Sequence, residues 1–116
     1  MIQAAHKQWE AYRQAVLLAK EMYQLTEPFP DTERAVLTYT LRRLTILLCQ
    51  DIAAATLRRD KKKRALLKTC LDTCIAIDTQ LEIAFIANLT TAEAATEVIK
   101  LLGLIYNEVK RVVDAT

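Results

Sequence analysis

Apolar residues recur at intervals of three and four along most of the chain, and this period predicts amphipathic helices and no β-strands. Three breaks divide the periodic stretches into four helices. The connections predicted between the first two and between the last two helices are short, so each of these pairs is expected to be antiparallel. The sequence therefore predicts an all-α protein, an antiparallel up-down-up-down four-helix bundle, as one domain over residues 1–116.

A proline-containing break separates the first two predicted helices. The first runs from about residue 4 to residue 25 and ends at the Glu-Pro-Phe-Pro segment of residues 27–30, because two prolines within three residues cannot continue a helix. The second begins at Asp31, predicted as its N-cap, with Glu33 in the first turn. The residues predicted to face the core are Trp9, Tyr12, Val16, Ala19 and Tyr23 in the first helix and Leu37, Leu41, Leu44, Leu48, Ile52 and Ala55 in the second.

The third and fourth predicted helices have polar boundaries. Residues 57–64 contain neither Gly nor Pro, and Asp60 is the predicted cap of the third helix, which ends near Asn88. Thr90 and Glu93 have the spacing of a capping box for the fourth helix, and Gly103 inside that helix predicts a close helix–helix approach. The predicted core residues are Leu67, Cys70, Cys74, Ile77, Leu81 and Ala84 in the third helix and Val98, Leu102, Ile105, Val109 and Val112 in the fourth.

The apolar content is high for a chain of this length. Hydrophobic residues make up 53% of the sequence, and several lie off the predicted core stripes, namely Leu17, Leu18, Leu71 and Ile75. A monomer would leave part of this surface exposed, and large exposed apolar patches usually mark interfaces. We therefore expect a homo-oligomer, although the sequence does not fix the number of subunits.

The cysteine content and the chain's hydropathy bear on its compartment. The three cysteines are an odd number, the first residues lack the apolar core of a signal peptide, and no apolar run approaches the length of a membrane span. We expect free thiols, a cytoplasmic protein and no membrane partner.

Charge is concentrated in the middle of the chain. Residues 42–68 contain nine bases and two acids, a net charge of +7, between flanks of −1 and −4. Such a block can neutralise phosphates, and without aromatic residues among the cations it suits contact with a nucleic-acid backbone and not with bases. A solvated turn is the alternative interpretation. The candidate nucleic-acid-binding residues are Arg58, Arg59, Lys61, Lys62, Lys63 and Arg64, with Arg42 and Arg43 as lesser candidates.

The sequence offers little catalytic chemistry. The only histidine is His6, predicted to lie on a frayed surface, and Cys70 and Cys74 lie on an apolar stripe without further metal ligands, so they are interpreted as buried thiols. We expect no enzyme activity, no cofactor and no metal. One alternative is an enzyme with charges inside the bundle, for which Arg43 and Asp51 are the candidates.

Short segments along nearly the whole chain resemble the four helix bundle protein family, first described from intervening sequences in bacterial ribosomal RNA genes. They are residues 9–26, the Phe-Pro pair with Glu33 and Leu37, Leu-Arg-Arg at 41–43, residues 79–84 and residues 101–105. Where the family typically reads Ser-Ile-x-x-Asn-Ile-Ala-Glu-Gly, this chain has Leu-Leu-Cys-Gln-Asp-Ile-Ala-Ala-Ala at 47–55, and the family's Gly-Ser falls at Asp72 and Thr73.

The resemblance implies a small four-helix bundle, with no family member known as an enzyme and some assembling as homopentamers. It also implies kinship with the accessory variability proteins of diversity-generating retroelements, which bind a reverse transcriptase and nucleic acid through a basic pentamer. We therefore expect a non-catalytic, self-associating adaptor whose basic end binds RNA, DNA or a reverse-transcriptase-like protein. The alternative is a purely structural homo-oligomer or protein–protein interaction module.

Overall fold

The computed structural model describes residues 1–116 and contains four α-helices: α1 (Glu10–Thr26), α2 (Tyr39–Thr56), α3 (Asp60–Ile86) and α4 (Thr96–Ala115). Each helix packs against the helices before and after it, and α1 also packs against α4. The helices therefore stand at the corners of a square in chain order, with α1 diagonal to α3. The predicted all-α, up-down-up-down four-helix bundle is confirmed, and it measures 42 × 31 × 23 Å.

One aliphatic core runs between the four helices. The predicted core residues of the third helix are all buried in α3, and those of the second are buried except for half-buried Leu44. In α4 the first four predicted residues are buried, whereas Val112 is half-buried beside buried Val113. Burying these side chains stabilises the bundle by roughly 1.5–3 kcal/mol per Val, Leu or Ile. The periodic pattern therefore identified the core of three helices.

The predicted core face of the first helix is right only in part: Trp9 and Tyr12 are half-buried against the core, and Ala19 is half-buried. Val16 and Tyr23 are exposed, and a stripe rotated around the helix is buried instead. That stripe has the same spacing of three and four, so periodicity alone does not distinguish the two faces. Its small residues permit a close approach of α1 to its neighbours. The buried stripe is Ala11, Ala15, Leu18, Met22 and Leu25.

The end of α3 falls where the sequence placed it. Asn88 has a φ of 60°, the left-handed conformation that follows many helices. The Leu89 N–H donates to the Ala84 carbonyl at 2.9 Å and the Asn88 N–H donates to the Phe85 carbonyl at 3.0 Å, the hydrogen-bond pair of a Schellman motif. Half-buried Leu89 packs against the core and completes the stop. The prediction of a helix end near Asn88 is confirmed.

The predicted N-caps at Asp31 and Asp60 are wrong. Asp31 does not cap a helix; it opens a 3₁₀ turn (Asp31–Glu33) that passes through a π-helical segment (Arg34–Thr38) into α2, and its carboxylate accepts a hydrogen bond from Arg34 at 3.0 Å. Asp60 is the first residue of α3, with a φ of 54°, and no side chain caps the helix. Asp tolerates this left-handed conformation better than most residues.

The capping box is also displaced. The Thr91 hydroxyl, not that of Thr90, accepts a hydrogen bond from the Ala94 N–H at 3.2 Å. This bond closes a turn, and α4 begins only at Thr96. Which of two adjacent threonines caps a turn depends on the backbone conformation, which decides whose hydroxyl reaches the free N–H groups. The sequence alone does not determine this.

Gly103 is not at a close helix contact. It is exposed, and a Cβ added there would have no neighbouring heavy atom within 4 Å. The predicted close approach within the bundle is therefore wrong. No helix has both the length and the apolar content needed to cross a bilayer.

Candidate functional site

The turn between α2 and α3 gathers cations at one end of the bundle. Arg58 and Arg59 join the two helices, and the following lysines and Arg64 occupy the first turn of α3. Lys63 and Arg64 are half-buried and the others are exposed. None of them forms an ion pair with a carboxylate, because the five ion pairs of the protein involve other bases. We call this set the basic corner: Arg58, Arg59, Lys61, Lys62, Lys63, Arg64 and Lys68.

The local helix geometry adds to the positive potential of the basic corner. The N-terminus of a helix carries a partial positive charge, and cations there are unfavourable by about 0.3–1 kcal/mol each. Asp60 is the only acid in the first turn of α3, against three lysines and an arginine. Neighbouring like charges also repel one another. The corner is therefore a place where a bound anion relieves repulsion that the folded chain leaves uncompensated.

The C-terminus of the chain borders the basic corner. The Arg64 Nε donates to the Thr116 hydroxyl at 3.2 Å, and that hydroxyl donates to the Val113 carbonyl at 2.7 Å. The contact holds Arg64 against the end of α4. A hollow of about 340 Å³ lies here, lined by Asp60, Lys61, Lys63, Arg64, Leu67 and Thr116. Three of its six lining residues are cations, and one is the acid Asp60.

The two lesser candidates, Arg42 and Arg43, lie elsewhere. They are near the start of α2, and roughly 20 Å of helix separates Arg43 from the end of α2 at a rise of about 1.5 Å per residue. The structure therefore brings the six main candidates together and does not bring these two arginines into the same site.

Arg42 binds α1. Its Nε donates to the Thr26 hydroxyl at 2.8 Å, and its guanidinium lies 4.5 Å from the centre of the Tyr23 ring. One terminal nitrogen donates to Glu27 at 3.3 Å. The buried Thr26 hydroxyl in turn donates to the Met22 carbonyl at 2.8 Å, so Arg42 links α2 to the C-terminal turn of α1.

Beside Arg42 is a surface cleft that the sequence did not reveal. It has a volume of about 380 Å³. Tyr23 and Tyr39 are 46% and 53% exposed, and Arg43 makes neither an ion pair nor a hydrogen bond. The available sequence signal was Tyr39, which lies off the predicted stripe of the second helix and near the double arginine, whereas Tyr23 was predicted to face the core. We call this the α1–α2 cleft, and its lining is Tyr23, Arg34, Thr38, Tyr39, Arg42, Arg43, Ile46, Leu47 and Gln50.

The bundle interior contains no charged side chain. Arg43 is exposed and Asp51 half-buried, and neither forms an ion pair. The only buried polar residues are Thr26 and Thr45, and each hydroxyl donates to the carbonyl four residues earlier. No buried side-chain nitrogen or oxygen lacks a hydrogen-bond partner. The two candidates of the enzyme alternative thus lie at the surface or its margin.

The cysteines are free thiols in apolar surroundings. Cys70 and Cys74 are buried, as predicted, and Cys49 is half-buried. Burial raises the pKa of Cys49 to about 11 and is the main cause that raises the pKa of Cys70 and Cys74 to about 12. Such thiols are neutral and poorly nucleophilic near pH 7. No group of three or more His, Cys, Asp or Glu side chains is placed to hold a metal ion.

His6 is less exposed than predicted. It lies in a 3₁₀ turn (Ala5–Gln8) before α1 and is half-buried. Its ring packs edge-on against Tyr12, with 4.8 Å between ring centroids. This contact joins the N-terminal turn to α1 and partly covers His6.

The fold and the charge distribution define a class, a four-helix bundle with a cationic end and an aliphatic core. No family model matches the chain, and no curated protein matches it.

Proposed function

We propose that this protein is a non-catalytic, self-associating helical adaptor of the four helix bundle protein family, and that its basic corner binds the phosphate backbone of RNA or DNA. The observation that carries the proposal is the gathering of seven cations without a carboxylate partner at one end of the bundle. Such an array favours a nucleic-acid backbone, because each backbone phosphate that it neutralises releases condensed counterions.

The composition of the basic corner favours backbone contact without sequence reading. Residues 57–68 contain no aromatic side chain on which a base could stack. Four of the cations are lysines, whose ammonium groups act as point charges on flexible stems. We therefore expect binding that depends strongly on salt and weakly on sequence.

Exposed apolar residues support the self-association part of the proposal. Fourteen large hydrophobic side chains are exposed, among them Leu17 and Ile75 from the predicted off-stripe set. Leu18 from that set is buried in the core and Leu71 is half-buried, so these two do not add exposed surface. The second candidate function is a structural homo-oligomer with a solvated basic corner. The exposed apolar residues support it equally.

The test reverses charges in the basic corner with a matched control. Lys61→Glu/Lys62→Glu is compared with Lys20→Glu/Lys100→Glu, in which both lysines are equally exposed and lie outside the corner. Fluorescence anisotropy with a labelled single-stranded RNA and a labelled DNA duplex gives the association constant at several salt concentrations. Each lost phosphate contact should reduce the slope of log K against log salt by about 0.7–0.9.

We expect the corner variant to bind more weakly, with a shallower salt dependence, while the control retains most of the wild-type slope. Equal effects of the two variants, or an unchanged slope in the corner variant, would contradict the nucleic-acid proposal. A wild-type assembly with no affinity for either probe would favour the structural homo-oligomer.

A further inference from the structure

Two outward faces of the bundle carry apolar side chains that nothing in the chain covers. One is the α1–α2 cleft. The other is a groove of about 330 Å³ between α3 and α4, lined by Cys74, Ile75, Asp78, Ile99, Leu102, Gly103 and Tyr106. Since the helices stand at the corners of a square in chain order, the α1–α2 and α3–α4 sides face in opposite directions.

The α1–α2 cleft has the composition of a protein-binding surface. Tyr39 is 53% exposed and Ile46 is 38% exposed at its margin, and Arg43 lies beside them without a carboxylate partner. Tyrosine and arginine are enriched among the residues that dominate binding energy at interfaces. The bases Arg34 and Arg42 also line this cleft but are paired with Asp31 and Glu27, so Arg43 is its one cation without a carboxylate partner.

The α3–α4 groove is complementary in charge. Residues 69–99 contain five acids and no base, and Asp78 lines the groove without an ion-pair partner. Ile75 is 52% exposed and Ile99 is 45% exposed on either side of it. The groove therefore offers apolar walls and a negative charge to whatever covers it.

Gly103 supplies an independent observation. A glycine in the interior of a helix weakens that helix relative to alanine, and no contact within this chain explains its presence. The missing side chain leaves room in the α3–α4 groove. A Cβ built at Gly103 would meet no heavy atom within 4 Å, so the groove is open at this position.

We propose that the α1–α2 cleft of one copy of this chain docks onto the α3–α4 groove of a second copy, with Arg43 facing Asp78 and an apolar side chain of the cleft margin over Gly103. The inference rests on the self-association part of the proposed function and assigns its surfaces. Pairing of two identical faces would bring bases against bases or acids against acids, which is unfavourable. The contact is therefore head-to-tail, so the copy at each end of an open assembly retains one free face.

The test is a charge swap read by light scattering coupled to size exclusion. Arg43→Glu and Asp78→Arg are made singly and together. The controls Lys20→Glu and Glu97→Arg reverse one exposed charge each at residues that line neither the cleft nor the groove. All four side chains are exposed, so far-UV circular dichroism should show that each variant is folded.

We expect each single face variant to lower the association constant at least ~10-fold, the double variant to regain assembly, and both controls to remain assembled. Single face variants that assemble like the wild type would overturn the assignment of the faces and leave self-association intact. A wild-type chain that is monomeric at every concentration would overturn both the assignment of the faces and the proposed self-association. Loss of RNA binding in Arg43→Glu without any change in mass would assign the cleft to nucleic acid and overturn the inference.

Discussion

Neutralising the lysines in the first turn of α3 should make the folded chain more stable. Lys61, Lys62 and Lys63 follow the first residue of α3 and have no carboxylate partner. Each cation at a helix N-terminus costs about 0.3–1 kcal/mol, and the low end applies because Lys61 and Lys62 are exposed and Lys63 is only half-buried. Glutamine has nearly the helix propensity of lysine, so a triple Lys→Gln variant removes charge with little other change.

The expected gain is about 1 kcal/mol for the three substitutions together. An unfolding entropy of roughly 2.1 cal/mol/K per residue converts this gain, for a chain of 116 residues, to an increase in Tm of about 4 °C. The increase should shrink at high salt, since the charges are exposed and screened. The same variant should bind nucleic acid less tightly if the basic corner is the binding site.

Thermal unfolding followed by far-UV circular dichroism, at low and at high salt, measures the effect. Lys110→Gln is the matched control, because Lys110 lies near the C-terminus of α4, where the helix dipole favours a cation, and pairs with Asp114 at 3.2 Å. Its Tm should not rise. A triple variant whose Tm is unchanged or lower at low salt would refute the claim that the basic corner stores uncompensated repulsion.

Two further predictions concern stability. Gly103→Ala should raise the free energy of unfolding by urea by about 1 kcal/mol at concentrations where the chain is monomeric, because the added Cβ meets no atom within 4 Å; a loss of stability would show a contact there. Burial raises the pKa of Cys70 and Cys74 from 9.0 to about 12, so the unfolded chain releases these protons at lower pH than the folded chain. Stability from this burial is complete below pH 9 and is lost as the pH rises from 9 to 12, by up to about 1.4 kcal/mol per pH unit per thiol. Urea unfolding on either side of pH 9 should show this decline, and a double Cys→Ala variant that declines as steeply would contradict it.

The basic corner shows which part of a candidate site can be predicted from local sequence. Six cations within seven residues must lie close together in any compact fold, and a chain reversal between two helices places them at an end of the bundle. Arg42 and Arg43 belong to the same charged block in sequence, but a helix holds them roughly 20 Å from its other end. Separation along a rigid helix, and not net charge, decided which bases share a site.

The sequence by itself determined the four helices, the core faces of α2, α3 and α4, and the stop at Asn88. These features follow from a single dominant apolar stripe or from local backbone chemistry, which a short segment contains in full. Only the tertiary structure decided which of two apolar stripes of α1 is buried, because both have helical spacing and the choice depends on how Ala11 and Ala15 fit against neighbouring helices. It also decided that Gly103 faces open space and that Tyr39 and Arg43 share a cleft, since the surroundings of a helix face are set by residues distant in the chain.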